Sequence, residues 1–142
     1  MFSDSGIPRE TIEAYLETHY CIHGDTPTIL KVGETNRTLA ALHKANHVAC
    51  SAFITACNPF SQIGDGASNA SRQEVFAREL RHRSLIFIDG VGQHPSNQWS
   101  GEASYLVLGL SLEAAKTLGT KFEQNAIVWS GADVTPQLIL LR

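Results

Sequence analysis

The residues best equipped for chemistry lie between Phe53 and Gln73, in FITACNPFSQIGDGASNASRQ. An apolar run ends at Thr55, and Asn58, Ser61, Asn69, Arg72 and Gln73 follow it. Hydroxyls, amides and a guanidinium placed behind a strand end and ahead of a helix suit a polar or anionic ligand. Backbone N–H groups are unpaired there, and rigid elements hold them. Gly64 and Gly66 beside these hydroxyls could cradle a phosphate or a carboxylate. The spacing matches neither a Walker loop nor G-x-G-x-x-G, so no phosphate motif is assigned.

Two further segments add candidates. In GVGQHPSNQWSGE, Gly90 to Glu102, Trp99 and Glu102 stand three apart and could set an aromatic wall beside a carboxylate. Gly90 and Gly92 suggest unusual φ or a close backbone approach. Gln124 and Asn125 stand at a strand entrance, where amides commonly bond local backbone. Cys57 with a histidine could form a nucleophilic pair, yet no partner is flagged and a small buried thiol is the simpler reading.

Elements must position these groups. Pro8 followed by RETIEAYLETHY predicts a helix with Ile12, Tyr15, Leu16 and His19 on one stripe. A short strand follows over Thr28–Val32. Thr35 can cap a second helix with Leu39, Leu42 and His43 inward. Ala49–Cys57 reads as a strand. Asn69–Arg83 reads as a third helix, with Ser71 and Glu74 at capping-box spacing. Strands follow over Leu85–Asp89 and Tyr105–Leu110. Ser111 caps a fourth helix, and strands over Ala126–Trp129 and Leu138–Leu141 close the chain. The expected order is αβαβαββαββ in one domain spanning 1–142. The fold class is α+β, an α/β sandwich with a single mixed sheet and about four helices. Ala49–Cys57 and Tyr105–Leu110 are expected at its centre.

At about 100° per residue, Phe76 and Leu80 set the inward face of the third helix, and Asn69, Arg72 and Gln73 share it. A guanidinium facing inward needs an acceptor. Glu102 is the expected partner and Asp89 the alternative, and the pairing would leave the fork ready for an incoming anion.

Bulk properties narrow the classes. The chain has 142 residues, 43% hydrophobic and 18% charged, with net charge −3. That is globular composition. The densest basic run, Arg78, Arg81, His82 and Arg83, complements a helix dipole, and no nucleic-acid partner is expected. Cys21, Cys50 and Cys57 are odd in number and form no CxxC pair, so a reduced, cytoplasmic setting is expected. No apolar h-region opens the chain and no run spans a membrane.

The same residues resemble a known family, the bacterial domain-of-unknown-function family 3293. The stretches that carry the likeness are Thr18-His19-Tyr20, Ile54-Thr55-Ala56-Cys57-Asn58-Pro59-Phe60-Ser61, Asn69 to Gln73, Gly90-Val91-Gly92, Trp99 to Glu102, and Glu123-Gln124-Asn125-Ala126. Cys57 departs from the family's tryptophan and Glu123 from its glycine. The resemblance implies that the polar set is the family's motif set; it implies no activity, cofactor or catalytic residue.

Three functions are compatible with this sequence. The first is a pocket for a small polar or anionic ligand, lined by Thr55, Asn58, Ser61, Asn69, Arg72, Gln73, Trp99, Glu102, Gln124 and Asn125, with or without catalysis. The second is a structural or protein-interaction module whose polar residues form an internal hydrogen-bond network. The third is a metal-dependent hydrolase using Asp89, His94 and Glu102, for which two ligands from one loop are thin support.

Overall fold

A computed structural model describes residues 5–96 and 101–142. Among these described residues four α-helices and seven strands form in the order α1 (Arg9–Glu17), β1 (His19–Ile22), β2 (Thr28–Leu30), α2 (Arg37–Ala45), β3 (Ser51–Ile54), α3 (Gly66–His82), β4 (Phe87–Gln93), β5 (Glu102–Leu108), α4 (Leu112–Lys121), β6 (Ala126–Ser130) and β7 (Gln137–Leu140). A 3-10 turn, Pro59–Ser61, joins β3 to α3. The class is α+β. Among the described residues no helix is long and apolar enough to cross a membrane.

All seven strands share one sheet in the order β2-β1-β4-β5-β3-β6-β7. Every neighbouring pair is antiparallel, which corrects the expected mixed sheet. The reason is topological. The β3–α3–β4 crossover returns the chain parallel to β3, but β5 inserts between the two. The β5–α4–β6 crossover does the same, and β3 inserts. Each is a split βαβ unit, so no parallel partners ever touch. β5 and β3 sit fourth and fifth of seven, at the centre, as their apolar runs require.

Alternation along β3 sends Phe53 into one core and Ala52 with Ile54 into the other. The first core joins Phe53, Leu106 and Val128 to Ile12 of α1 and Leu39 of α2. The second joins Ile54, Val107 and Ile127 to Phe76 and Leu80 of α3 and Leu118 of α4.

Several boundaries differ from the sequence reading. α1 stops at Glu17, because Thr18 turns extended and its N–H bonds the Tyr15 carbonyl. His19 therefore opens β1, a strand the helical periodicity concealed, and Leu16 is 40% exposed. α2 is capped by Asn36, not Thr35: its side chain accepts from the Leu39 N–H, while the Thr35 hydroxyl bonds Thr135. α3 begins at Gly66 with Asp65 as cap, a turn ahead of the expected start. The segment expected as one polar loop, Gly90 to Glu102, instead ends β4 and begins β5, so Gly92 and Glu102 pair across the ladder.

Candidate functional site

Asn58 is the hub of the loop that leaves β3. It adopts left-handed φ 48°, ψ 65°, and Phe60 and Ser61 also have positive φ. A residue before proline is pushed away from the right-handed helical region, and asparagine tolerates the left-handed one better than most side chains. Its own side chain fixes the choice. Asn58 Oδ1 accepts from the Gly64 N–H at 2.9 Å and from Asn69 Nδ2 at 2.8 Å. The Asn58 N–H donates to Asn69 Oδ1 at 2.8 Å, and Asn58 Nδ2 donates to Glu102 Oε2 at 2.7 Å. Thr55 ties the same loop to β5: its hydroxyl donates to the Ala103 carbonyl at 2.6 Å and accepts from the Cys57 N–H at 3.0 Å. Backbone strain of this kind persists only where surrounding bonds over-determine it.

The expected Arg72–Glu102 pair does not form. Arg72 Nε donates to the Ala56 carbonyl at 2.7 Å, and another guanidinium nitrogen donates to the Phe122 carbonyl at 2.7 Å. The ion pair is with Glu123, at 3.4 Å. Nor does Asp89 serve, since it is exposed on β4. Main-chain oxygens at a strand exit and at the C-terminal end of α4 are strong acceptors, and they consume the fork. Gln124 braces the same junction, with Nε2 donating to the Cys57 and Phe122 carbonyls, both at 3.1 Å. Glu123, where the resemblance expects glycine, has φ 59°. Glycine is the natural occupant of that conformation.

A cavity of about 1150 Å³ opens beside this scaffold, between α1, the strand-end loop, α3 and the sheet. Thr55, Asn58, Ser61, Asn69, Gln73, Glu102 and Gln124 line it. Arg72 and Asn125 do not. Asn125 instead donates to the hydroxyls of Ser61 (3.0 Å) and Tyr15 (3.3 Å), which bond each other, and accepts from Arg142 at 3.1 Å. Trp99 lies outside the described residues.

Two cavity groups keep unused bonding capacity. Gln73 is 8% exposed, and its Oε1 accepts from the Ala56 N–H at 3.0 Å. That donor fixes the amide's orientation. Gln73 Nε2 is then a buried donor without an acceptor among the described residues. Such groups are rare, because desolvation costs roughly 1–3 kcal/mol. Glu102 spends Oε2 on Asn58, while Oε1 accepts nothing among the described residues.

Burial pushes the Glu102 carboxyl above its ordinary value near 4.5, and the Asn58 hydrogen bond partly opposes it. Burial raises the Cys57 thiol and the Tyr20 phenol above their ordinary values, and the negative field of Glu102 adds a smaller push in the same direction. The unfolded carboxyl then ionises at lower pH than the folded one, so ionisation of Glu102 destabilises the fold. Glu102→Gln should melt above the parent protein at pH 7–8. The gap should close as pH falls below about 4.5, where both states are protonated. A gap that stays constant across paired melts from pH 4 to 8 would sink this assignment.

The hydrolase reading loses its triad. Asp89 pairs with Tyr105 and Glu102 with Gly92, so the two carboxylates stand an odd number of residues apart along the ladder and on opposite faces. His94 Nε2 instead lies 3.4 Å from Glu17 Oε1. Among the described residues no three such side chains are grouped to hold a metal ion.

Tyr15, Tyr20, Phe53 and Gly92 also line the cavity, though sequence reasoning did not place them in the ligand site. Tyr20 and Gly92 fall in stretches that carry the family likeness, and that was their available signal.

A family model described as "Protein of unknown function (DUF3293)" matches residues 54–127, from the end of β3 to the start of β6. No curated protein and no solved structure matches the chain.

Proposed function

We propose that this chain, which belongs to the DUF3293 family, binds a small polar molecule in the cavity at the end of β3 and the start of β5. The observation that carries the reading is the pair of unspent groups on its wall, Glu102 Oε1 and the nine-tenths-buried Gln73 Nε2. A scaffold built only for stability would satisfy both. A ligand of a few hundred cubic ångströms fits such a cavity with room for ordered water.

A second reading, a purely internal network, draws on a different set of residues. Asn58, Asn69, Arg72 and Gln124 have their polar groups engaged by the chain itself, which suits support rather than recognition. The two readings join naturally: those residues hold the strand-end loop in its strained form, and Glu102 and Gln73 meet the ligand.

Ligand-observed NMR of a polar fragment library tests the proposal against the parent protein and Gly92→Val, whose added branch enters the cavity. Hits should bind the parent and lose at least ten-fold affinity to the variant, with the circular dichroism unchanged. Hits that bind both proteins equally would remove the cavity from consideration.

A further inference from the structure

The face of the sheet that packs on α1 and α2 carries a slot whose chemistry selects a ligand class. Tyr20, Gly92 and Glu102 stand directly opposite one another on β1, β4 and β5, so they form one row on one face. Gly92 brings no side chain, and the row therefore has an aromatic at one end, a carboxylate at the other and bare backbone between. An added Cβ at Gly92 would meet Thr18, Tyr20 and Phe53 at 3.8–4.0 Å, ordinary contact distances, so the floor has room for an added atom without a clash. The Tyr20 and Phe53 rings pack edge to face, with centroids 5.3 Å apart, and line the cavity as its apolar wall.

Among the described residues, the charge set in this row is negative. Glu102 is the carboxylate, and Asn58 fixes its orientation through Oε2 alone. The cation that the sequence suggested for an anionic ligand, Arg72, lies outside the lining, with its fork on main-chain carbonyls. Arg81 does line the cavity, but it lies over the Phe87 ring on the other face of the sheet. His94 is turned towards Glu17. A desolvated carboxylate with a free oxygen repels an anion and gains most from a cation that shares its low-dielectric surroundings.

Resting on the ligand-pocket reading above, we infer that the slot over Gly92 takes the planar cationic head of a small ligand, an amidinium or guanidinium. Its N–H groups donate to Glu102, and its body lies against Tyr20 and Phe53. The free Oε1 accepts a charge-assisted N–H of the head, and a planar amidinium or guanidinium can also stack on an aromatic face where a compact ammonium cannot. The aromatic pair adds an attraction that a carboxylate-bearing ligand would forgo. Asn58 acts as a positioning residue, holding Glu102 by one oxygen so that the other faces the slot.

Benzamidine, benzamide and benzoate share a ring and differ only in the head group, so titrating all three by NMR reads the class directly. Benzamidine should bind at least ten-fold more tightly than benzamide, and benzoate should not bind at millimolar concentration. Glu102→Gln should erase the preference, bringing benzamidine to within about two-fold of benzamide, while the melting point holds or rises. Gly92→Val should abolish binding of benzamidine and benzamide, and Gly92→Ala, which adds only a methyl, should weaken it if the larger branch fails to fold. Benzoate binding as tightly as benzamidine, or benzamidine indifferent to Glu102→Gln, would overturn the cationic class while leaving the pocket in place. The same holds if no benzene probe binds and library hits remain sensitive to Gly92→Val. Hits of every kind insensitive to Gly92→Val would overturn the pocket and this inference together.

Discussion

Arg72→Ala should lower the unfolding free energy by roughly 3 kcal/mol, since hydrogen bonds from a charged donor are each worth about 1.5–3 kcal/mol. The side chain is 28% exposed and holds two main-chain carbonyls that belong to different parts of the fold. Ala56 follows β3, and Phe122 caps α4, so the guanidinium clamps the strand exit onto the end of that helix. Truncation leaves both oxygens facing a partly dry junction. The ion pair to Glu123 contributes little, because that carboxylate is half exposed. Arg72→Lys should recover only part of the loss, as one ammonium cannot reach both acceptors in the fork's geometry. Combining Arg72→Ala with Glu102→Gln should give the sum of the two single effects, because the residues share no partner. Denaturant titrations of the four proteins measure this. A loss below about 1 kcal/mol for Arg72→Ala would mean the carbonyls find water, and the clamp would be discarded.

This clamp shows which parts of the molecule could be read from the sequence. Arg72 was recognisable as an inward-facing cation needing an acceptor, because helical periodicity places it beside Gln73 and Phe76. Its acceptors were not, because a backbone carbonyl carries no residue identity. β3 and β5 were legible through their unbroken apolar runs, and α4 through the Ser111 cap, whose hydroxyl accepts from the Ala114 N–H at 3.2 Å. β1 was hidden for the opposite reason. Ile12, Tyr15, Leu16 and His19 keep a helical period straight across the α1–β1 boundary, and no glycine or proline stands at Thr18 to break it. Losing β1 meant losing Tyr20, and with it the aromatic wall of the cavity. The antiparallel sheet was hidden too: local order predicts the crossovers, but which strand slips between the partners is a long-range outcome.

Gly90 and Gly92 lie two residues apart on the same face of β4, and alanine should affect them in opposite ways. A Cβ on Gly90 would lie 2.5 Å from the Cys21 carbonyl oxygen and 2.9 Å from Phe53 Cε2. A backbone oxygen cannot swing aside as a side chain does. Relief requires β1 to move away from β4, across a pairing that runs from His19–Gln93 to Ile22–Gly90. Among the described residues β2 pairs with β1 alone, so the disturbance reaches the edge of the sheet. Overpacking of a core costs about 1–3 kcal/mol, and a backbone clash belongs at the upper end, so Gly90→Ala should lose about 3 kcal/mol or fail to accumulate folded protein. A Cβ on Gly92 meets ordinary contacts at 3.8 Å and beyond. Its φ is not positive, so alanine adds no strain and restricts the unfolded chain. Gly92→Ala should therefore be neutral or more stable by roughly 0.5 kcal/mol. Paired denaturation midpoints decide the matter, and equal midpoints for the two variants would mean that β4 is not held against β1 as tightly as the 2.5 Å approach requires. The contrast bears on function as well as on stability. Close packing at Gly90 seats the Phe53 ring against the strand, and that ring, with Tyr20, walls the slot that Gly92 leaves open. One glycine is then required by the close approach of β1 and the Phe53 ring, while the other is dispensable to the fold and needed only for the space above it.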